Sequence, residues 1–191
     1  KGAKSALVVA DMPFMSYQIS IEEAVRNAGR FIKEAGAGAV KLEGGRKNAK
    51  QISAIVDSGI PVMGHVGLLP QSYHMSSGYS MQGKNSEEAN KIYEDALSVE
   101  DSGAFAIVLE GIPDKLASKI TKQLRIPTVG IGAGPDCDGQ IQVYHDILGL
   151  YNDMIPKHTL KFGDIRTNII DSLNKYKIQV ENKNFPSFRK I

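Results

Sequence analysis

Five short apolar runs alternate along the chain with longer amphipathic stretches, and this alternation restricts the possible folds more than any other feature. The runs are rich in valine, isoleucine and alanine at successive positions, which is typical of strands buried on both faces of a parallel sheet. A weaker sixth run follows at 141–149. Repeated alternation of strand and helix predicts a fold built of βα units. The five runs occupy 6–11, 38–44, 61–68, 104–111 and 127–134.

The amphipathic stretches predict helices at 20–36, 85–103, 113–126 and 164–176. The first of these opens with Ser20 and has Glu23 three residues later, which is the pattern of a capping box. Apolar residues at helical spacing, such as Leu116 and Ile120, are expected to face the core. The stretches therefore predict helices that cover the sheet.

Polar or glycine-rich positions follow nearly every apolar run, and their distribution helps to choose between two architectures. An open doubly wound sheet concentrates its site at one crevice, whereas a (β/α)₈ barrel spreads it over many strand ends at one rim. The spread seen here favours the TIM barrel. A closed barrel has eight strands and about 250 residues, whereas this chain has 191 residues and six runs. We therefore expect the chain to lack the beginning of the barrel.

Composition excludes several classes of partner. The net charge is only +2, so nothing indicates binding to nucleic acid, and no apolar run approaches the length of a membrane span. The single cysteine, Cys137, excludes an internal disulfide framework and fits a reducing compartment such as the cytoplasm. We therefore expect a cytoplasmic protein without membrane or nucleic-acid partners.

Lys41 and Glu43 end the second run, and residues two apart in a strand share a face. In a barrel, Glu43 would converge with Asp11 and Glu110 on one rim. Two like charges about 4 Å apart repel by about 4 kcal/mol at an effective dielectric near 20, so three carboxylates need a cation or a proton. Mg²⁺ could bind Asp11 and Glu43. The alternative is that these acids pair with arginines or helix N-termini and only close the barrel end.

Glu110 and His65 are further candidates. Glu110 ends the fourth run, where a carboxylate could act as a general base, although an ordinary solvated carboxylate at a loop start is equally compatible with the sequence. His65 lies in an apolar run, where a lone histidine is more often a core residue than a ligand. Since His65 has no histidine partner at metal-binding spacing, zinc is not expected.

The chain resembles the ketopantoate hydroxymethyltransferase family, also called 3-methyl-2-oxobutanoate hydroxymethyltransferases. Several long motifs occur together, in the family's order and spacing, over about residues 5–160. The motifs are VVADMPFMSY (8–17), VKLEGG (40–45), PVMGHVGLLPQS (61–72), GYSMQG (78–83), IVLEGIP (107–113) and IPTVGIGAGPDCDGQIQV (126–143).

The resemblance implies a (β/α)₈ barrel and a Mg²⁺-dependent transfer of a one-carbon unit from methylene-tetrahydrofolate. The acceptor is the small 2-oxo acid 3-methyl-2-oxobutanoate, and the product is ketopantoate, a precursor of pantothenate and coenzyme A. Matching the motifs makes Asp11 a metal ligand and substrate contact, Lys41 a substrate contact, Glu43 a metal ligand and Glu110 the proton acceptor. His65 receives a supporting role. The family also implies a large ring of identical subunits.

The resemblance further implies that residues 1–191 form a single barrel domain. It matches strands three to eight of the family barrel, followed by a C-terminal helix and tail. The two remaining βα units would carry another aspartate ligand and a serine substrate contact. Two alternatives stay open: a related Mg²⁺ barrel of the phosphoenolpyruvate mutase and isocitrate lyase type, and an inactive fragment that binds other subunits through its sheet edges. The first should have a catalytic cysteine loop, which the position of Cys137 does not favour.

Overall fold

The structure of the chain is a computed structural model. It describes residues 2–75, 80–151 and 159–186, with the backbone alone at 73–75. The chain divides into two compact units, Lys1–Ile141 and Gln142–Ile191. The prediction of one domain over 1–191 stays a prediction.

The first unit alternates strand and helix as far as its fifth strand. Its strands are β1 (Val9–Asp11), β2 (Ala39–Lys41), β3 (Val62–Gly67), β4 (Ala106–Glu110), β5 (Thr128–Ile131) and β6 (Gly139–Gln140). Its α-helices are α1 (Ile21–Lys33), α2 (Ala49–Asp57), α3 (Ser86–Asp101) and α4 (Asp114–Gln123). Two 3₁₀ helices, Arg46–Asn48 and Pro70–Met75, follow β2 and β3.

The six strands form one parallel sheet in the order β1-β2-β3-β4-β5-β6. The spatial order therefore follows the chain order without the reversal that creates the crevice of a doubly wound sheet. This is the strand order of a (β/α) barrel. The α/β fold with a parallel, barrel-type sheet is thus confirmed, whereas eight-stranded closure and two further βα units stay predictions.

The core lies between the sheet and helices α1 to α4. Leu42, Ile107 and Leu109 are fully buried, and burying a side chain of this size contributes about 1.5–3 kcal/mol. Helix α3 packs closely on β3 at Gly64, where an added Cβ would overlap the side chain of Val99. Leu116 and Ile120 of α4 are buried, as their helical spacing predicts.

The predicted helix starts are confirmed where a capping side chain is present. Ser20 caps α1 by accepting a hydrogen bond from the backbone N–H of Glu23, and Asn85 does the same for Glu88 at the start of α3. These bonds satisfy backbone donors that the first turn of a helix leaves free.

The sixth apolar run, 141–149, was wrongly expected to be a strand. The last strand is the short β6, and the run itself contains helix α5 (Tyr144–Leu148). Ile141, Val143 and Tyr144 are exposed, so the run is not a buried sheet segment.

The second unit contains α5 and α6 (Ile165–Glu181). The left-handed residue Gly149, with φ 64°, ends α5. Helix α6 buries none of its residues and exposes several large apolar side chains. Among the helices of the described ranges, none combines the length and hydropathy needed to cross a bilayer.

Candidate active site

The predicted site residues lie at or near the carboxyl ends of four adjacent strands. Asp11 ends β1, Lys41 ends β2 and Glu110 ends β4, while Glu43 comes two residues after β2. His65 lies inside β3, paired in register with Val108 of β4. Because parallel strands end at the same edge of a sheet, the structure brings these side chains to one rim.

Lys41 contacts two other residues of the site, Asp11 and His65. Its Nζ atom lies 2.9 Å from Oδ1 of Asp11 and 3.3 Å from Nδ1 of His65. The Lys41 side chain is only 16% exposed, whereas that of Asp11 is 58% exposed. The ammonium group is thus held beneath the rim, with one face toward an accessible carboxylate and the other toward a buried imidazole.

His65 is the buried centre of the cluster, with a relative exposure of 2%. Because an ammonium group can only donate, Nδ1 is the acceptor of the contact with Lys41, which places the ring proton on Nε2. Nε2 lies 3.1 Å from Oε2 of Glu110, but the two groups are not aligned for a hydrogen bond. Nδ1 also lies 3.9 Å from Oε1 of Glu43. The imidazole therefore lies beside the Lys41 ammonium and the carboxylates of Glu43 and Glu110.

A tight turn after β2 holds Glu43 in place. The backbone N–H of Gly44 donates to the carbonyl of His65 at 2.8 Å, and the side-chain amide of Asn48 donates to the carbonyl of Glu43 at 2.7 Å. Gly44 has φ 106°, and an added Cβ would lie 2.7 Å from Nδ2 of Asn48. Glycine is therefore required for the turn that brings Glu43 back against β3.

Burial raises the pKa of the Glu43 carboxyl above its ordinary value. The Gln71 backbone N–H and the charge of Lys41 oppose this shift, and the negative charge of Asp11 adds to it. Glu43 is only 5% exposed, so its charge is removed from water without a close ammonium or guanidinium partner among the described residues. A cation bound beside it would lower the free energy of the charged form.

Two further residues of the site, Tyr17 and Gln71, are not identified by any pattern in the sequence. The Tyr17 hydroxyl donates to Oε1 of Gln71 at 2.8 Å and accepts the backbone N–H of Glu43 at 3.2 Å. The backbone N–H of Gln71 donates to Oε2 of Glu43 at 3.1 Å. Burial raises the pKa of the Tyr17 hydroxyl well above its ordinary value. Both residues lie in the quoted motifs, but nothing in the sequence links positions 54 residues apart.

Asp11 and Glu43 supply oxygen ligands of the kind that Mg²⁺ prefers. Within the described ranges, no group of three or more histidine, cysteine, aspartate and glutamate side chains is arranged to hold a metal ion. Mg²⁺ is commonly bound through one or two carboxylates, with substrate oxygens and waters completing the octahedron. Two carboxylates at one rim are therefore a donor set that fits Mg²⁺.

The arrangement joins a positive charge and a carboxylate on opposite sides of one imidazole. Glu110 is 14% exposed, so its carboxylate remains accessible from the rim. A small acid placed there could lose a proton to Glu110 while its developing negative charge faces Lys41. This division of roles suits proton abstraction next to a carbonyl group.

A sequence profile of the ketopantoate hydroxymethyltransferase family matches residues 1–188. The chain belongs to this family. The family assigned from the sequence motifs is thereby confirmed.

Relatives in the ketopantoate hydroxymethyltransferase family include two bacterial proteins named 3-methyl-2-oxobutanoate hydroxymethyltransferase. The protein from Syntrophobacter fumaroxidans is 54% identical over 186 residues, covering 97% of this chain and 66% of the relative. The protein from Geobacter sulfurreducens is 57% identical over 182 residues, covering 95% of this chain and 68% of the relative. The chain therefore spans about two thirds of the length of these relatives.

Solved structures with a similar fold include phosphonopyruvate hydrolase. One such structure has a TM-score of 0.50 at 11% identity, covering 96% of this chain and 62% of the hydrolase. A second, described as a complex with oxalate and Mg²⁺, has a TM-score of 0.50 at 13% identity and covers 92% of this chain and 61% of the hydrolase. At these identities the likeness concerns the fold alone.

Proposed function

We propose that this chain carries the proton-abstracting part of a 3-methyl-2-oxobutanoate hydroxymethyltransferase. The enzyme transfers a one-carbon unit from methylene-tetrahydrofolate to 3-methyl-2-oxobutanoate and forms ketopantoate. The observation that carries the proposal is the contact of Lys41, Glu43 and Glu110 with the buried imidazole of His65 at one rim. Family membership supplies the identity of the substrate.

Glu110 is the proposed base. It accepts the proton from C3 of the 2-oxo acid, and the electron pair of the broken C–H bond moves into the enolate. C3 then forms a carbon–carbon bond to the methylene carbon, and the two bonds between that carbon and the folate nitrogens break. Water supplies the hydroxyl oxygen, and the two nitrogens of tetrahydrofolate take up two hydrogens, one from water and one from C3. One water is consumed in the balanced reaction.

Lys41 and His65 prepare the rim for this step. The Lys41 ammonium faces the oxyanion of the enolate, and such a preorganised positive charge stabilises charge that develops in the transition state. His65 holds Lys41 from below through Nδ1 and lies against Glu110 through Nε2. The imidazole therefore keeps the Lys41 ammonium and the Glu110 carboxylate at a fixed separation.

Asp11 and Glu43 are the proposed ligands of Mg²⁺. When bound, the ion would draw electron density from the keto oxygen and make the neighbouring C–H more acidic. Asp11 is exposed at the rim and also pairs with Lys41, so it would contact both the ion and the substrate. Glu43 approaches from the buried side.

The finer features of the family belong to the same proposal. They are the folate co-substrate, the eight-stranded barrel with two βα units besides those seen here, a cytoplasmic location and a homo-oligomeric ring. Helix α6 supports the oligomer, because Ile169, Leu173 and Tyr176 are each about half exposed or more and would be buried by another subunit. Sedimentation velocity tests this point, and a monomer at micromolar concentration would contradict it.

The alternative of a phosphoenolpyruvate mutase-type enzyme finds less support. An enzyme of that type would need a reactive cysteine, and a thiol becomes nucleophilic when its pKa is lowered. Burial raises the pKa of the Cys137 thiol. Cys137 lies among Gly130 and the threonines of β5 and α4, as a structural cysteine would.

Titration calorimetry with 3-methyl-2-oxobutanoate tests the proposal. We expect binding in the presence of Mg²⁺ and a large loss of affinity when EDTA replaces it. Asp11→Ala should weaken the Mg²⁺-dependent binding, because it removes the accessible ligand. Binding that does not depend on Mg²⁺, or no binding at millimolar substrate, would contradict the proposed function.

A further inference from the structure

The Glu43 carboxylate is almost completely buried, so the groups around it decide where its oxygens point. Oε2 accepts the backbone N–H of Gln71 at 3.1 Å, while Oε1 lies on the side of His65, 3.9 Å from Nδ1. One oxygen is therefore anchored by a hydrogen bond. The orientation of the carboxylate depends on the position of the Gln71 backbone.

Gln71 is itself held by two side-chain hydrogen bonds. Its Oε1 accepts the Tyr17 hydroxyl at 2.8 Å, and its Nε2 donates to the carbonyl of Met12 at 2.8 Å. Gln18 donates to the same Oε1 at the longer distance of 3.4 Å. The side-chain amide thus fastens the start of the segment after β3 to the segment after β1.

Tyr17 completes the network on the other side of Glu43. Its hydroxyl accepts the backbone N–H of Glu43 at 3.2 Å while donating to Gln71. The Tyr17 side chain is only 1% exposed, so the hydroxyl has little freedom to exchange these partners for water. The segments after β1, β2 and β3 are therefore joined through one phenol group.

We infer that Tyr17 and Gln71 are positioning residues, which fix the Glu43 carboxylate in the orientation that binds the divalent cation. This inference rests on the proposed function, since it assumes that Glu43 is a ligand. Groups that orient a ligand by hydrogen bonding commonly change metal affinity by about 10–100-fold when they are removed. Neither residue is expected to touch the reacting carbon.

The probe is Mn²⁺, which suits the same oxygen ligands as Mg²⁺ and can be counted by electron paramagnetic resonance. We expect Tyr17→Phe and Gln71→Ala each to weaken Mn²⁺ binding by about 10-fold or more. The double variant should bind Mn²⁺ about as tightly as whichever single variant binds it less tightly, because the two side chains act as one unit. Tyr93→Phe is the matched control, since Tyr93 lies on α3 beneath the ammonium of Lys119 and outside this network.

A kinetic measurement separates positioning from general stability. The Mg²⁺ concentration for half-maximal activity should rise in both variants, while kcat at saturating Mg²⁺ should stay within about threefold of the parent. Thermal unfolding in EDTA compares the stability of the metal-free variants with that of the metal-free parent. If Tyr17→Phe fails to fold, Gln71→Ala decides, because truncating this partly buried side chain leaves its backbone N–H in place.

The outcomes distinguish this inference from the function on which it rests. If Tyr17→Phe and Gln71→Ala bind Mn²⁺ like the parent while Glu43→Gln does not, the network is only structural and the inference is wrong. If Glu43→Gln also binds Mn²⁺ like the parent, the ligand role of Glu43 in the proposed function is wrong as well.

Discussion

Nδ1 of His65 lies 3.3 Å from Nζ of Lys41, in a site where the imidazole is almost completely buried. The contact joins the end of β2 to the middle of β3. The opposite ring nitrogen faces Glu110 at the end of β4. A histidine that the sequence leaves ambiguous between core and site is therefore both: it is packed inside the sheet and carries polar contacts on each side.

Replacing His65 with leucine tests whether these contacts matter. Leucine is apolar and of similar size, so packing should be largely kept while Lys41 loses its acceptor. A hydrogen bond to a charged group contributes about 1.5–3 kcal/mol, so we expect proton abstraction to slow by about 10–100-fold. The measurement is the rate of C3 deuterium exchange of 3-methyl-2-oxobutanoate, followed by NMR. His145→Leu in α5 is the control, and an unchanged rate in His65→Leu would reject the supporting role.

Glu110→Gln tests the proposed base directly. The amide keeps the shape of the side chain but cannot accept the proton, so we expect C3 exchange to fall by about 10²–10⁴-fold. Substrate affinity measured by calorimetry in Mg²⁺ should stay within a fewfold of the parent. Glu87→Gln, at the exposed start of α3, provides the control. Exchange at the parental rate would show that another group removes the proton.

The strands and their order could be predicted because the signal is local. Each of the first five runs is apolar enough to identify a buried strand, and Ser20 and Asn85 mark helix starts by their own capping bonds. Helix α2 was missed for a related reason. Asn48 precedes it but makes no capping bond, since its side chain instead binds the carbonyl of Glu43.

Only those site residues that lie at the ends of predicted strands could be identified from the sequence. Lys41 and Glu43 could be placed on one face because they are two apart in a strand. The contacts of Tyr17 with Gln71 and of Lys41 with His65 depend on how separate segments meet at the rim, which no periodicity encodes. The sequence therefore predicted the charged residues and missed the neutral side chains that hold them.

Lys41→Met tests the role of the buried ammonium. Methionine keeps most of the apolar stem, but Asp11 and His65 lose their cationic partner. We expect 3-methyl-2-oxobutanoate to bind about 10-fold or more weakly in Mg²⁺, since a charge-assisted contact contributes about 1.5–3 kcal/mol. The matched control is Lys33→Met in the last turn of α1, which is not among the residues of the site. Equal affinities for parent and Lys41→Met would exclude Lys41 from substrate binding.

Asp138, in the loop between β5 and β6, binds back to β5. Its Oδ2 accepts the backbone N–H of Thr128 at 2.8 Å and the Thr128 hydroxyl at 2.9 Å. Thr128 is fully buried, so its backbone N–H depends on this acceptor, while its hydroxyl also lies 2.8 Å from the Thr121 hydroxyl. These hydrogen bonds, first that of the backbone N–H, lower the pKa of the Asp138 carboxyl.

The lowered pKa predicts a pH-dependent contribution to stability. A carboxyl whose pKa is lower in the folded than in the unfolded state stabilises the fold above its unfolded pKa of about 3.9, and this contribution is lost as the pH falls through the folded value. Asp138→Asn removes the charge but keeps an acceptor oxygen. Because Asp138 is exposed, we expect the Asp138→Asn substitution to lower the free energy of unfolding at pH 7 by about 1 kcal/mol or less.

The difference in unfolding free energy between parent and Asp138→Asn should be constant from about pH 7 to pH 5 and shrink below about pH 4. Urea unfolding at a series of pH values, followed by circular dichroism, measures it. Asp136→Asn, two residues earlier in the same loop, is the control. Its difference in unfolding free energy from the parent should not shrink at low pH through loss of a contact with Thr128. A parent–variant difference that stays the same down to pH 3 would mean that the charge of Asp138 does not hold β5.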